Sequence, residues 1–196
     1  MPQARTQTRP PARPAASTWP AAGALLLDRT SSHTGTTRVL AGTLAISAAQ
    51  RLPQADALQL SNGTSLVLGR DQALAALSDG PNPGGVPPDG TALIDLGAFS
   101  LRLDAGADDG GSFYSGAFTG SGGRWLKQGG GSLQLAGSGV GRNLVAVDAG
   151  LLVSLGDNSL STEAVVTVAQ GAALRLMAPV TVQSLDLLGR LSGPAA

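Results

Sequence analysis

The chain has 196 residues, 13 of them basic and 13 acidic, so its net charge at neutral pH is zero. That balance argues against a nucleic-acid groove, which needs clustered Lys and Arg. The absence of cysteine removes disulfides, thiol catalysis and cysteine-ligated metals together.

Residues 1–22 are rich in Pro, Ala and Arg and predict a disordered leader. Arg5, Arg9 and Arg13, with no acid among them, resemble the first part of a signal peptide. The apolar part does not follow, because Ala21 to Leu27 is too short and contains Gly23, so no signal peptide is recognised. From Gly23 a short phrase recurs, a glycine followed by alternating aliphatics. It reads GALLL at 23–27, GTLAI at 42–46, GTSLVL at 63–68 and GTALIDL at 90–96. It returns as GSLQL at 131–135, GLLVSL at 150–155 and GAALRL at 171–176. Alternation of this kind marks a half-buried strand, and the leading glycine supplies the turn. Residues 71–80, DQALAALSDG, are the one helix-like patch. Residues 78–90 hold four prolines and four glycines and predict a loop leaving the regular structure. Residues 104–123 are glycine-rich and predict a second, irregular loop-like coil. Residues 193–196 are a tail. No stretch approaches the ~18 apolar residues of a membrane helix.

The spacing of these strands decides the architecture. Gly23 to Gly42 is 19 residues and Gly42 to Gly63 is 21; Gly131 to Gly150 and Gly150 to Gly171 repeat both values. Consecutive hairpin strands recur every ~8–12 residues and strand–helix–strand units need ~30 or more. The observed period fits one coil of a parallel β-solenoid. Residues 23–192 would then form about eight coils and a rod roughly 40 Å long. Leu44, Leu66, Leu68, Leu152, Leu174 and Leu176 would stand in interior ladders. The chain also matches itself without a gap at an offset of 108, Gly23 falling on Gly131, Val39 on Val147, Gly42 on Gly150 and Leu66 on Leu174. The identities are glycines, small residues and aliphatics, which is the mark of a repeated structural unit.

Residues able to do chemistry are few. His33, the only histidine, would be needed as a general base, but its counterpart in the self-match is Gly141, so it reads as an exposed turn residue. No Gly-x-Ser-x-Gly elbow occurs. Asp104, Asp108 and Asp109 offer clustered oxygens for calcium, but their spacing matches no known calcium loop and they read as a solvated loop. Arg102 and Asp104 lie two apart on a strand and share a face, as the carboxylate and arginine of a polysaccharide-cleaving β-helix would, but a single pair does not make such a site. Trp125, beside Arg124, could stack on a sugar, but its place at a coil start favours packing against a corner. The glycine runs at 120–123 and 129–131 lack the Lys-Ser/Thr pair of a phosphate loop and read as turns. Asn62-Gly63-Thr64 matches a glycosylation sequon but reads as a strand-leading turn. No catalytic, cofactor or metal residue is assigned.

Residues 113–137 read FYSGAFTGSGGRWLKQGGGSLQLAG, and 34–44 read TGTTRVLAGTL. These phrases resemble the autotransporter-associated β-strand repeat of bacterial autotransporter passenger domains. The matching elements are Ser115-Gly116, Gly120-Ser121-Gly122-Gly123, Lys127-Gln128-Gly129-Gly130-Gly131 and Leu133-Gln134-Leu135. The resemblance spans about residues 23–188. It implies a right-handed parallel β-helix, exported and displayed at the bacterial surface or secreted, with a C-terminal β-barrel translocator in a full-length version and a host-cell or matrix surface as ligand. The sequence LLGRLSGPAA at the end begins no barrel strands, so the chain reads as a fragment of such a protein. The expected role is a non-catalytic stalk or adhesin scaffold. The alternative is a β-helix enzyme acting on polysaccharide, or the remnant of a protease autotransporter.

Overall fold

A computed structural model describes residues 17–19, 23–28, 35–47, 52, 57–104 and 112–193. Among these, every paired strand is parallel to its neighbours, and the sheets stack as a β-solenoid of about seven turns. The coil count falls below eight because some coils are longer than the sequence period. Gln72 pairs with Leu101 and Ser65 with Leu93, both spanning the proline-rich loop.

Three faces enclose the interior. Face one begins with β1 (Ser17–Trp19), β3 (Thr37–Val39), β5 (Ala57–Leu60) and β8 (Ala76–Asp79). It resumes as a second sheet of β11 (Ser112–Tyr114), β14 (Ser132–Leu135), β16 (Leu151–Ser154), β18 (Ala173–Leu176) and β20 (Arg190–Ser192). Face two holds β2 (Ala24–Leu27), β4 (Thr43–Ile46), β6 (Ser65–Leu68), β9 (Leu93–Asp95) and β12 (Ala117–Thr119). Face three holds β7 (Gln72–Leu74), β10 (Ser100–Asp104), β13 (Arg124–Gln128), β15 (Leu144–Val147), β17 (Val165–Val168) and β19 (Ser184–Leu187).

Period-two alternation sends every second residue inward, and parallel register stacks like on like. On face two Leu44, Leu66 and Ile94 form one buried column above Phe118. On face three Trp125 sits between Leu101 and Val145. On face one Leu133, Leu152 and Leu174 follow one another. Each fully buried aliphatic contributes about 1.5–3 kcal/mol. Of the six leucines expected inside, five are buried, and Leu176 is partly buried against the same core.

One coil differs in its filling. Tyr114 enters from face one, Phe118 from face two and Trp125 from face three. Tyr114 meets Phe118 edge-on at 5.6 Å, and Phe118 stacks on Trp125 at 5.1 Å. The interior here is aromatic across its whole width.

That coil lies at a seam. The first sheet of face one ends at β8, and β11 lies beside it as the start of the next sheet. The Asp79 carboxylate accepts the Ser115 backbone N–H at 3.0 and 3.2 Å, a side chain replacing a ladder carbonyl. Across the seam the repeating strand–corner–strand unit changes place. Before it, the unit spans faces one and two, as in β3–β4 and β5–β6. After it, the unit spans faces three and one, as in β15–β16 and β17–β18. The abandoned side, face two, is then closed by stacked turns. Gly139 N–H donates to the Asn158 carbonyl at 3.0 Å, and Asn158 N–H to that of Pro179 at 3.0 Å.

Several expectations are revised. The sheet begins at Ser17, inside the segment read as leader, because β1 pairs with β3. The helix-like patch is two strands, β7 and β8, meeting at the corner residue Ala75, since inward Leu74 and Leu77 belong to different faces. Within the span 104–123, Asp104 closes β10, and β11 and β12 occupy two faces of the solenoid, while 105–111 lie outside the described residues. The proline-rich span does leave the solenoid, although Ser78 and Asp79 still belong to β8 and Pro83–Gly85 makes a single 3-10 turn.

Candidate functional site

Chemistry would need polar groups that converge, so the outward faces and the buried polar groups are the places to look. On face three Arg102 and Asp104 do share the outer side of β10, and they pair at 3.0 Å. Further along the same face, Arg124, Leu144, Ala146, Val165 and Thr167 line a small dimple of about 110 Å³. Face one carries a shallow depression of about 290 Å³ between Gln134, Val153, Arg175 and Met177. The dimple is well below the ~300–1,000 Å³ typical of a ligand pocket, and the depression sits at its lower bound. Near the amino end, face one bears a polar ladder instead. Arg38 Nε donates to Gln59 Oε1 at 2.8 Å, and Gln59 Nε2 to Ser78 Oγ at 3.5 Å.

The most charged buried group is Lys127, whose residue surface is 0% exposed. It occupies an aliphatic column, with Leu103 on one side and Val147 on the other. The long stem lies among apolar neighbours and the ammonium reaches the corner. There Nζ donates to the carbonyls of Gln128 at 2.7 Å, Gly129 at 2.8 Å and Ala149 at 3.2 Å. Burial pushes its pKa down, and the Asp104 carboxylate partly offsets this. Three carbonyls fully occupy its three donors, which makes Lys127 a corner clamp and leaves no hydrogen for a substrate. Tyr114 is also buried, its hydroxyl has no hydrogen-bond partner, and burial and Asp79 raise its pKa.

The loop 80–92 is held down by Asn62. Its backbone N–H donates to Asn82 Oδ1 at 2.6 Å, its Nδ2 to the Pro87 carbonyl at 2.9 Å, and its Oδ1 accepts Asp89 N–H at 3.1 Å. Gly63 N–H donates to Thr91 Oγ1 at 2.8 Å, and Thr91 N–H and hydroxyl both donate to Asp89 Oδ1. Those bonds from Thr91, the hydroxyl first, hold the Asp89 carboxyl below the ordinary value of 3.8. Asn62 is therefore a strand-leading turn residue, and its side chain is committed to the loop.

The sequence candidates thus separate. His33, Asp108 and Asp109 lie outside the described residues. Among the described residues no three His, Cys, Asp or Glu side chains are grouped to hold a metal, and no helix is long and apolar enough to cross a membrane. Trp125 is the second residue of β13, and its ring is buried in the interior, stacked on Phe118. The glycine runs are turns, with positive φ at Gly120, Gly122 and Gly129. Lys127 and the Asn62 loop clasp were missed. The signal for Lys127 was its place two residues after Trp125, which puts it on the inward side of the strand.

No protein-family model, curated protein or solved structure matches the chain.

Proposed function

We propose that the chain is a scaffold, a stalk or adhesin support from the passenger region of a bacterial surface autotransporter. One observation carries this reading. Under the 108-residue self-match, most inward residues stay aliphatic, while outward residues change character freely. Val39, Leu44, Leu58, Leu60 and Leu66 fall on Val147, Leu152, Val166, Val168 and Leu174, all buried. Outward Arg38, Gln59 and Val67 fall on Ala146, Thr167 and Arg175. A unit that keeps its interior and varies its surface carries a load or presents a face; an active site would have kept polar residues. The Lys127 corner clamp supports the same reading, because it gives a structural reason for the lysine followed by glycines in the autotransporter repeat phrase.

In a full-length version the partners would be a C-terminal β-barrel translocator and a host-cell or matrix surface. The test is topological. Antibody against the purified chain should label intact cells of the encoding bacterium, and protease added outside should remove that label. Labelling that appears only after the envelope is opened would overturn the proposal.

A further inference from the structure

We propose that Asn62–Gly63 is a latent modification site: a self-deamidating pair whose reaction the loop 80–92 holds back, and whose conversion to aspartate or isoaspartate releases that loop for good. Asparagine followed by glycine is the pair most open to this chemistry, because glycine puts no side chain in the way of ring closure. Asn62–Gly63 is the only such pair in the chain. The Gly63 amide nitrogen gives its proton to hydroxide and attacks the side-chain carbonyl carbon of Asn62. The new N–C bond closes a five-membered imide, and the Nδ2 group takes up a proton and leaves as ammonia. Water then opens the imide at either carbonyl, giving aspartate, or an isoaspartate whose main chain runs through the side chain. Water is the only other reactant.

The fold ties up each group this reaction uses. Gly63 N–H is donated to Thr91 Oγ1 at 2.8 Å, so the nucleophile keeps its proton. Asn62 Nδ2, the leaving group, donates to the Pro87 carbonyl at 2.9 Å, and Oδ1 accepts Asp89 N–H at 3.1 Å. The side-chain amide is thus fixed to the loop at both ends and cannot swing onto the Gly63 nitrogen without breaking both bonds. The turn is closed again by Thr64, whose N–H and hydroxyl donate to the Ser61 carbonyl at 3.2 and 2.7 Å. Gly63 is exposed, so water reaches the pair once these ties are undone.

The asparagine serves the loop and not the turn. In the self-match counterpart, Ala172 N–H closes on the Ala169 carbonyl at 3.1 Å and Gly171 has a φ of 85°, yet residue 170 is Gln. Among the described residues, the other connections between faces one and two are the short spans 40–42, 61–64 and 115–116; only 80–92 is long. The deamidated product cannot rebuild the clasp. A carboxylate has no hydrogen for the Pro87 carbonyl, and it adds a negative charge to a corner that already holds Asp89. Isoaspartate also lengthens the main chain inside the turn. A chain that waits unfolded therefore loses Asn62, and the site records the time spent unfolded.

The test ages the whole chain in mildly alkaline buffer, folded or in urea, and follows residue 62 by peptide mass spectrometry. The urea sample should convert at least about tenfold faster than the folded one. Thr91→Val removes the acceptor of the Gly63 N–H and should speed conversion in the folded chain about three- to tenfold, the worth of one hydrogen bond. Asn62→Gln, the residue the counterpart turn accepts, should keep the fold and stay unmodified. Chain aged in urea and refolded should exchange its Asp89 and Thr91 amide hydrogens at least about tenfold faster than fresh chain, and Asn62→Asp should do the same. Equal conversion in buffer and urea would overturn the proposal. So would a Thr91→Val rate equal to that of the parent, or an Asn62→Asp loop that exchanges as slowly as the parent loop. If Thr91→Val lowers the urea midpoint, the folded-versus-urea comparison and the Asn62→Asp exchange decide.

Discussion

Residues 23–68 and 131–176 are the two copies of one self-match, yet they are not the same part of the rod. In the first, the aliphatic strand pair occupies faces one and two; in the second it occupies faces three and one. The side left over is treated differently after the seam, where stacked turns around Asn158 and Ser161 close face two. The difference shows that the heritable unit is a corner with two short strands and not a whole coil. A corner can be moved round the axis because each face asks only for inward aliphatics in register. Even an exception is absorbed locally: Ile46 has the counterpart Ser154, whose hydroxyl shares a 2.6 Å hydrogen bond with that of Ser159.

The sharpest way to break this equivalence is at the corner glycines. Gly42 and its counterpart Gly150 both have positive φ, 76° and 69°. At Gly150 an added Cβ would lie 2.4 Å from the Gly131 carbonyl oxygen, 2.5 Å from that of Gly129 and 2.8 Å from Lys127 Nζ. Gly63 and Gly171 are also a matched pair with positive φ, but open space surrounds both. Gly150→Ala should therefore cost about 3 kcal/mol or more, as strain and clash combine. Gly63→Ala and Gly171→Ala should each cost about 1–2 kcal/mol, from strain alone. Urea unfolding of the three variants checks the order; equal costs at all three sites would mean that the corners are not packed as described.

A second effect should be confined to the later half. Lys127→Met keeps the apolar stem and removes the ammonium, leaving the Gln128, Gly129 and Ala149 carbonyls without their donor. The expected loss is about 1–3 kcal/mol, the cost of orphaned buried acceptors. Lys127→Arg should not restore it, because a planar fork does not fit a pyramidal donor site. Thermal unfolding of both variants tests this.

The smallest effect should have the opposite sign and sit on the seam between the halves. Tyr114→Phe removes a buried hydroxyl that has no partner and keeps the ring against Phe118. Stability should stay level or rise by up to about 1 kcal/mol. A loss greater than that, measured by the same urea titration, would show that the hydroxyl has a bonded partner.

Strands, turns and inward leucines were legible in the sequence because alternation and glycine are local signals. The choice of face was not. Alternation says in or out; it does not say which of three sides a strand joins, and an offset of 108 residues is not a whole number of coils here. The 71–80 patch failed for a related reason. Leu74 and Leu77 are three apart because a corner intervenes, and the eye reads that spacing as a helical turn. The aromatic coil was half visible: Phe113, Tyr114 and Phe118 drew notice, but Phe113 points out, while inside Tyr114 meets Phe118 and Phe118 stacks on Trp125. Lys127 was overlooked because a charged residue is ordinarily placed outside, and only the geometry of the corner shows three carbonyls waiting for it. Asn62 was rightly read as a turn, yet its grip on the loop 80–92 depends on partners such as Pro87 and Asp89 that no short motif announces.

The register of the sheets has one more consequence. Among the described residues each strand pair joins segments one coil apart, from Ala173 with Arg190 at the near extreme to Gln72 with Leu101 at the far one. None of these pairs waits for a distant stretch of chain. Assembly is then additive: a partly synthesised or partly emerged chain already owns every neighbour its finished coils need, and each new coil closes on the last. A rod made this way can grow as it passes end-first through a narrow opening, with its own leading coils as the template.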